Sequence, residues 1–324
     1  MLTVLLTLIL LGAIGLATGF VASKWLSRTL DTRQPPHGRF VTVDGVRLHV
    51  HDLPAQQPSP TAPTVLLLHG ANLCLDDLQM SLGAPLAQRL RVIIPDRPGQ
   101  GFSEPGPGPL ASAAYQVKLL QGLISALGVT GPLIVVGHSF GGLIALRYAL
   151  DDPNRVAGLV LINPTSHPRP EGLPWFQRVA GVLVGPLMVH TLLLPMSLAM
   201  LDRLVTRMFR PEAPPPDYAA RSRLTLGLTP ARFSASLQEY AALRDQLIAT
   251  VPSYPSITAP TLIFAGEADP VVPPNVHAEA LARALPQAQL RPLPGAGHMA
   301  HHAHAGAIVR GIEQLALQPV DAQK

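Results

Sequence analysis

The chain has one cysteine, Cys74, in 324 residues, so no internal disulfide can form and the fold must rest on its hydrophobic core. Charge is also scarce. Charged residues make up 14% of the chain against 48% hydrophobic residues, a balance that requires deep burial or contact with lipid. Aromatic residues are 5% of the total, and the net charge of +4 comes from scattered arginines with no basic run and no aromatic interleaving. Such a surface gives nucleic-acid binding no footing. There is no internal repeat, and the proline-rich stretch Pro211 to Pro216 is the only low-complexity segment.

The longest absence of charge marks the most apolar segment. Leu2 to Ser23 contains no ionisable side chain, and at ~1.5 Å per residue a helix of that length covers the ~30 Å hydrocarbon core of a bilayer. A cleavable secretory signal has a cationic start and a shorter apolar run. Here Lys24, Arg28 and Arg33 follow the segment instead. We therefore expect residues 1–24 to form a single-pass anchor that meets the membrane through residues 2–23, with the catalytic portion on the cytoplasmic side under the positive-inside rule. The alternative is a secreted or periplasmic protein after signal cleavage. Gly15 and Gly19 form one small-xxx-small pair. Residues 25–38, with Pro35 and Pro36, read as a linker.

From Arg39 onward the pattern is that of an α/β domain. Phe40 to Val50 alternates around Asp44-Gly45, which is a hairpin signal. Continuous apolar runs follow at Val65 to Leu68, Val92 to Ile94, Leu133 to Val136, Leu159 to Ile162, Leu262 to Phe264 and, more weakly, Leu290 to Leu293. Helical stretches lie at Tyr115 to Leu127, Gly142 to Ala149 and Val276 to Leu285. Apolar strands alternating with helices predict a mostly parallel central sheet flanked by helices. The interval between Ile162 and Leu262 far exceeds what a crossover needs, which predicts a helical cap over 167–257 inserted between core segments 39–166 and 258–324. Within the cap, Val179 to Leu201 lacks Asp, Glu, Lys and Arg. Pro186 and Pro195 favour short helices lining a cavity there over a membrane-surface patch or a second span.

The chemistry centres on Gly137-His138-Ser139-Phe140-Gly141, placed after a buried strand and before a helix. That is the context in which G-x-S-x-G exposes a nucleophilic hydroxyl. A serine nucleophile needs a base, an acid to orient it, and donors for the developing oxyanion, all at the carboxyl ends of strands. Asp269 stands just beyond the strand Leu262 to Phe264, with Glu267 as its local competitor. His298 follows the last apolar run between Gly297 and Met299. For the oxyanion we expect the backbone N–H groups of Phe140 and Ala71, with the Asn72 side chain as a lesser alternative. His69 and His138 are expected to be structural. His301, His302 and His304 follow His298 closely, but no acidic residue stands near them in sequence, so no metal and no cofactor is expected.

Taken in order, His69-Gly70, Asp96 to Ser103, Gly137 to Gly142, Gly266 to Asp269 and Gly297-His298 resemble the α/β-hydrolase superfamily from about Arg39 to the C-terminus. The resemblance implies the chain order Ser139, Asp269, His298, and makes 96–103 the loop that supports the oxyanion turn. Gln100 stands where many members carry histidine. A serine at the elbow disfavours the members that attack through aspartate. The expected activity is hydrolysis of a hydrophobic or lipid-derived carboxylic ester through an acyl-enzyme, on a small-molecule or lipid substrate. A carbon-carbon bond hydrolase or lactonase of the same fold, and a non-catalytic membrane-tethered accessory protein, are the alternatives.

Overall fold

The apolar runs become strands of one sheet. In a computed structural model, which describes residues 1–59, 61–169 and 184–317, these are β1 (Arg39–Val43), β2 (Val46–Leu53), β3 (Thr64–Leu68), β4 (Val92–Pro95), β5 (Leu133–His138), β6 (Val156–Ile162), β7 (Thr261–Gly266) and β8 (Ala288–Leu293). Their order is β1-β2-β4-β3-β5-β6-β7-β8. The first two strands form the expected hairpin, and its turn carries positive φ at both Asp44 (49°) and Gly45 (81°), as a two-residue primed turn requires. From β4 onward every pairing is parallel.

Strands β3, β4, β5 and β7 are buried at every position because both faces of the sheet are covered. Alternate residues serve the two cores. Leu66, Val135, Leu161 and Ile263 pack with the helices Ala113–Ala126 and Phe140–Asp151. Val65, Val136, Val160 and Leu262 pack with the helical segment 75–86 and the helix Ala305–Ala316. The segment 75–86 has no counterpart in the sequence reading.

Between β6 and β7 the chain leaves the sheet. Its described part forms a series of helices that includes Leu201–Phe209 and the long helix Pro230–Thr250. Of the apolar stretch 179–201, residues 179–183 lie outside the described residues. The remainder forms Val184–Met188, a π-turn Val189–Leu193 and Leu194–Ala199. The helix then turns by 77° into Leu201–Phe209, so the described part is not one straight span. A satellite core of Leu73, Val205, Phe209, Tyr218, Leu224 and Met299 fixes this insertion to the loops beyond β3 and β8.

The N-terminal helix extends beyond the expected boundary, running from Leu2 to Arg33. Most of 25–38, expected as a linker, is therefore helical, and the chain becomes irregular only near Pro35 and Pro36. The extension is held by tertiary contacts. Asp31 pairs with Arg232 at 3.0 Å, Gln34 donates to Thr225 at 3.3 Å, and Arg223 donates to the carbonyls of Gln34 and Pro35.

Asp96, at the end of β4, joins three elements. Its carboxylate accepts from the His49 ring at 2.7 Å and from the amides of Leu75 and Phe102 at 2.8 Å each. Burial alone pushes this carboxyl up, but His49 beside it outweighs that effect and holds it below the usual range. A Cβ at Gly101 would overlap the Asp96 carboxylate, which explains the glycine in a turn of positive φ. Asp96→Ala leaves the His49 ring and the amides of Leu75 and Phe102 without their acceptor, the first two buried, and is expected to cost about 3 kcal/mol or more. The urea unfolding midpoint measures this, and a midpoint equal to wild type would contradict it.

Candidate active site

Ser139 occupies the turn between β5 and the helix Phe140–Asp151, with φ 54° and ψ −119°, a conformation that L side chains rarely adopt. Three backbone hydrogen bonds enforce it. The Ser139 amide donates to Ile162 O at 3.0 Å, and its carbonyl accepts from Gly142 N at 2.9 Å and Thr165 N at 3.0 Å. The flanking glycines are steric requirements: a Cβ on Gly137 would meet the Gly141 carbonyl, and one on Gly141 would meet the carbonyls of Leu68 and His69. Close packing of turn against strand thus forces the hydroxyl outward.

His298 lies in the loop after β8. Its Nε2 is 3.1 Å from Ser139 Oγ and its Nδ1 is 2.7 Å from Asp269 Oδ2. The structure therefore brings Ser139, His298 and Asp269 into one hydrogen-bonded chain. Asp269 is 5% exposed, and its other oxygen accepts the amides of Val271 and Val272 at 2.7 and 2.9 Å. It is both the turn aspartate and the partner of the histidine. With Nδ1–H donating to the carboxylate, Nε2 presents a lone pair to the serine hydroxyl. Glu267, the competing acid, is exposed.

The two amides expected at the oxyanion position are free to donate. Phe140 is the first residue of its helix, so its N–H has no intrahelical acceptor, and the Ala71 N–H finds no acceptor among the described residues. A Cβ on Gly70 would come within 3.2 Å of Ser139 Cβ, which brings the 69–72 turn against Ser139. Asn72 (φ 58°) uses its amide to donate to Ser236 Oγ at 3.2 Å.

Several positioning residues were not singled out in the sequence. Asn163 cross-links the loops: its amide donates to the carbonyls of Gly297 and His298 at 2.9 Å, and its oxygen accepts Gly266 N at 2.7 Å. Arg97, completely buried, donates to the carbonyls of His69 (3.0 Å) and Gly70 (3.3 Å), and lies 4.9 Å from the Phe140 ring. Its charge is balanced by Glu239 of the helix Pro230–Thr250, an ion pair inaccessible to solvent on both sides. Gln116 donates to the same carboxylate at 2.8 Å. One turn earlier, Ser236 accepts from Gln100 at 2.9 Å, which gives Gln100 a bracing role. The i, i+3 spacing of Ser236 and Glu239 was the available signal that this helix has a polar inward edge.

His69 and His138 have structural roles. His69 accepts Arg97 N at 3.0 Å through Nε2, with its Nδ1 2.8 Å from the Gly70 carbonyl; burial, with Arg97 nearby, lowers it to about 4. His138 Nε2 is 3.0 Å from the His298 carbonyl. Expecting no acid near the later histidines considered only sequence neighbours. Asp77, from the segment 75–86, accepts from His301 at 2.8 Å, His302 at 2.9 Å and Tyr218 at 2.8 Å. Burial pushes the Asp77 carboxyl up, but the two histidines outweigh this and hold it well below the usual range. Asp77, His138 and His301 have donor atoms within 4.8 Å of one another and could face a cation. In this structure the Asp77 oxygens are already occupied by the two histidines and the tyrosine.

A mostly parallel sheet with a strained serine after its fifth strand and a histidine-carboxylate pair at the same edge defines a hydrolase architecture. The chain belongs to the alpha/beta hydrolase fold family, whose profile matches residues 63–305. It is 34% identical over 254 residues to the magnesium-chelatase 30 kDa subunit of Rhodobacter capsulatus, covering 76% of this chain and 84% of that one. Among solved structures it is similar to a thermophilic esterase from Thermogutta terrifontis (26% identity, TM-score 0.66, 86% and 97% of the two chains). It is also similar to a membrane phospholipase A described as a bacterial virulence factor (25% identity, TM-score 0.63, 97% and 99%).

Two outcomes follow from this geometry. Glu239→Ala leaves the Arg97 guanidinium buried without a counter-charge and is expected to destabilise the fold by about 3–5 kcal/mol, measured by urea denaturation; a loss under about 1 kcal/mol would contradict the brace. The second concerns pH. Burial lowers His51, His69 and His277 to about 4, against 6.5 for the free side chain. Between these values the unfolded chain binds protons that the folded chain refuses, so stability is lost as pH falls from about 6.5 to 4. Unfolding midpoints measured across that range should decline, and a flat profile would contradict the assignment.

Proposed function

We propose that the protein is a serine hydrolase that cleaves carboxylic esters, hydrophobic or lipid-derived, through an acyl-enzyme on Ser139. The observation that carries this reading is the Asp269–His298–Ser139 hydrogen-bond chain beside two undirected amides, at the elbow where the hydroxyl is forced outward. In the first half-reaction Ser139 Oγ attacks the ester carbonyl carbon while its proton passes to His298 Nε2. Asp269 orients the ring and stabilises the imidazolium, and the amides of Ala71 and Phe140 donate to the oxyanion. One such donor is worth about 3 kcal/mol of barrier. The intermediate collapses as the alcohol leaves with the proton from His298. Water, deprotonated by the same nitrogen, then attacks the acyl carbon, and the acid departs as Ser139 regains its proton.

The lipid-derived class is supported by the apolar N-terminal helix, by the likeness to a membrane phospholipase A over nearly the whole chain, and by the uncharged stretch within the insertion. Within this reading residues 2–23 tether the enzyme, and the cations Lys24, Arg28 and Arg33 place its domain on the cytoplasmic side. A second reading, an accessory subunit of a larger enzyme, is favoured by the name of the Rhodobacter capsulatus relative.

Purified full-length protein assayed on p-nitrophenyl esters of graded chain length separates the two. Ser139→Ala and His298→Ala are each expected to lower kcat by about 10³-fold or more, Asp269→Ala by somewhat less, with the fold intact by circular dichroism. Turnover that survives Ser139→Ala would overturn the nucleophile, and no turnover of any ester by wild type would favour the accessory reading.

A further inference from the structure

The N-terminal helix changes environment abruptly at Gly19. Every residue from Met1 to Thr18 is exposed, on all faces, although the segment is uncharged and its only polar side chains are those of Thr3, Thr7 and Thr18. From Gly19 one stripe is covered: Gly19, Ala22, Ser23, Leu26, Ser27 and Leu30 are buried or partly buried, at the 3–4 spacing of a single helix face. The covering element is the insertion. A Cβ on Gly19 would lie 2.9 Å from the Thr191 carbonyl, so the two backbones meet at close range within the π-turn Val189–Leu193. The eighteen residues from Leu2 to Gly19 rise about 27 Å, close to the ~30 Å of a hydrocarbon core.

The same short helices leave an apolar face open. Met188, Leu192, Met196 and Met200 recur at four-residue spacing and are 47, 39, 54 and 43% exposed, with Leu187 beside them at 47%. Their buried counterparts Val189, Thr191, Leu194 and Ser197 occupy the other side. No Asp, Glu, Lys or Arg occurs between Val179 and Leu201. Trp25, 64% exposed, follows Gly19 by less than two turns together with Lys24 and Arg28, residue types that settle at the headgroup level. Thr191 meets the helix at Gly19, so in the anchor reading, with Leu2 to Gly19 in the hydrocarbon core, the open face would stand at the level of the bilayer surface.

We infer that the Leu187, Met188, Leu192, Met196 and Met200 face is a second membrane contact that inserts into the lipid leaflet beside the N-terminal helix and holds the insertion over the site against the bilayer. The inference rests on the anchor reading and goes beyond it: an anchor alone would leave the domain free to swing. A pre-seated insertion would receive acyl chains directly from the leaflet, whereas a swinging domain would have to capture them from water. Apolar side chains in this arrangement gain about 25 cal/mol for each Å² removed from water, so a handful of half-exposed Leu and Met residues orient the domain without anchoring it unaided.

The test uses the full-length protein reconstituted in vesicles of phosphatidylcholine and phosphatidylglycerol. The fluorophore NBD is attached to single cysteines introduced as Leu10→Cys, Met196→Cys or Lys118→Cys, the native Cys74 being buried. Lipids carrying a spin-label quencher near the headgroup or deep in the chains then report depth. The Met196 label should be blue-shifted and lose most of its emission to the shallow quencher, the Leu10 label should respond to the deep quencher, and the Lys118 label to neither. A quenched Leu10 label with Met196 as wet as Lys118 would overturn the docking and leave the anchor standing. A Leu10 label untouched by either quencher would overturn the anchor itself. A Met196 label shielded from water but insensitive to lipid quenchers would mean that protein covers the face, which also overturns the proposal. Leu192→Glu/Met196→Glu should lower turnover of diacylglycerol in vesicles by about tenfold, the effect of about 1.4 kcal/mol, with a soluble short-chain ester hydrolysed at the wild-type rate. Equal loss on both substrates, or on neither, would contradict it.

Discussion

A serine held at φ 54° is the constraint around which the rest of the structure is arranged. A non-glycine residue in such a conformation costs of order 1–3 kcal/mol and persists only where its surroundings over-determine it. Here the surroundings are neighbouring strands: β6 supplies the Ile162 carbonyl, the chain beyond β6 supplies the Thr165 amide, and the end of β3 closes on Gly141. The elbow therefore requires a completed parallel sheet, and the two apolar cores that sandwich that sheet are part of how the hydroxyl is aimed. Asn163, at φ 44°, carries the constraint from the end of β6 to its neighbours by fixing both Gly266 at the end of β7 and the His298 loop beyond β8.

The insertion between β6 and β7 braces the candidate site. Glu239 holds the charge of Arg97, Arg97 holds the carbonyls of the 69–70 turn, and that orientation leaves the following amide of Ala71 free. On the opposite side Glu212 accepts the Gly297 amide at 2.9 Å, next to His298. Both flanks of the reactive centre thus lean on one inserted segment, and its far end packs on the N-terminal helix at Gly19.

Much of this was legible in the sequence, and what was missed has physical causes. Strands buried on both faces read as unbroken apolar runs, so the parallel strands from β3 to β7 could be located before their pairing was known. Ser139, Asp269 and His298 stand at strand ends with the small or turn-forming neighbours such positions need. Asp77 could not be connected with His301, because more than two hundred residues separate them and no periodicity links the segments. Nothing local connects Glu239 with Arg97, because 142 residues separate them. The N-terminal helix was drawn too short because the charge at Lys24 marks where the apolar run ends, not where the helix ends. Residues 25–33 stay helical through contacts with Arg223, Thr225 and Arg232, which the local sequence does not reveal.

The central claim is that Ser139 forms a covalent acyl intermediate. Treating the full-length protein with a long-chain alkyl fluorophosphonate and mapping the adduct by peptide mass spectrometry tests it most directly, because the phosphonate is captured only by a serine that its histidine has activated. The account predicts one adduct per chain, located on Ser139 and prevented by prior addition of excess ester. Absence of any adduct, or modification at another residue with Ser139 untouched, would contradict it.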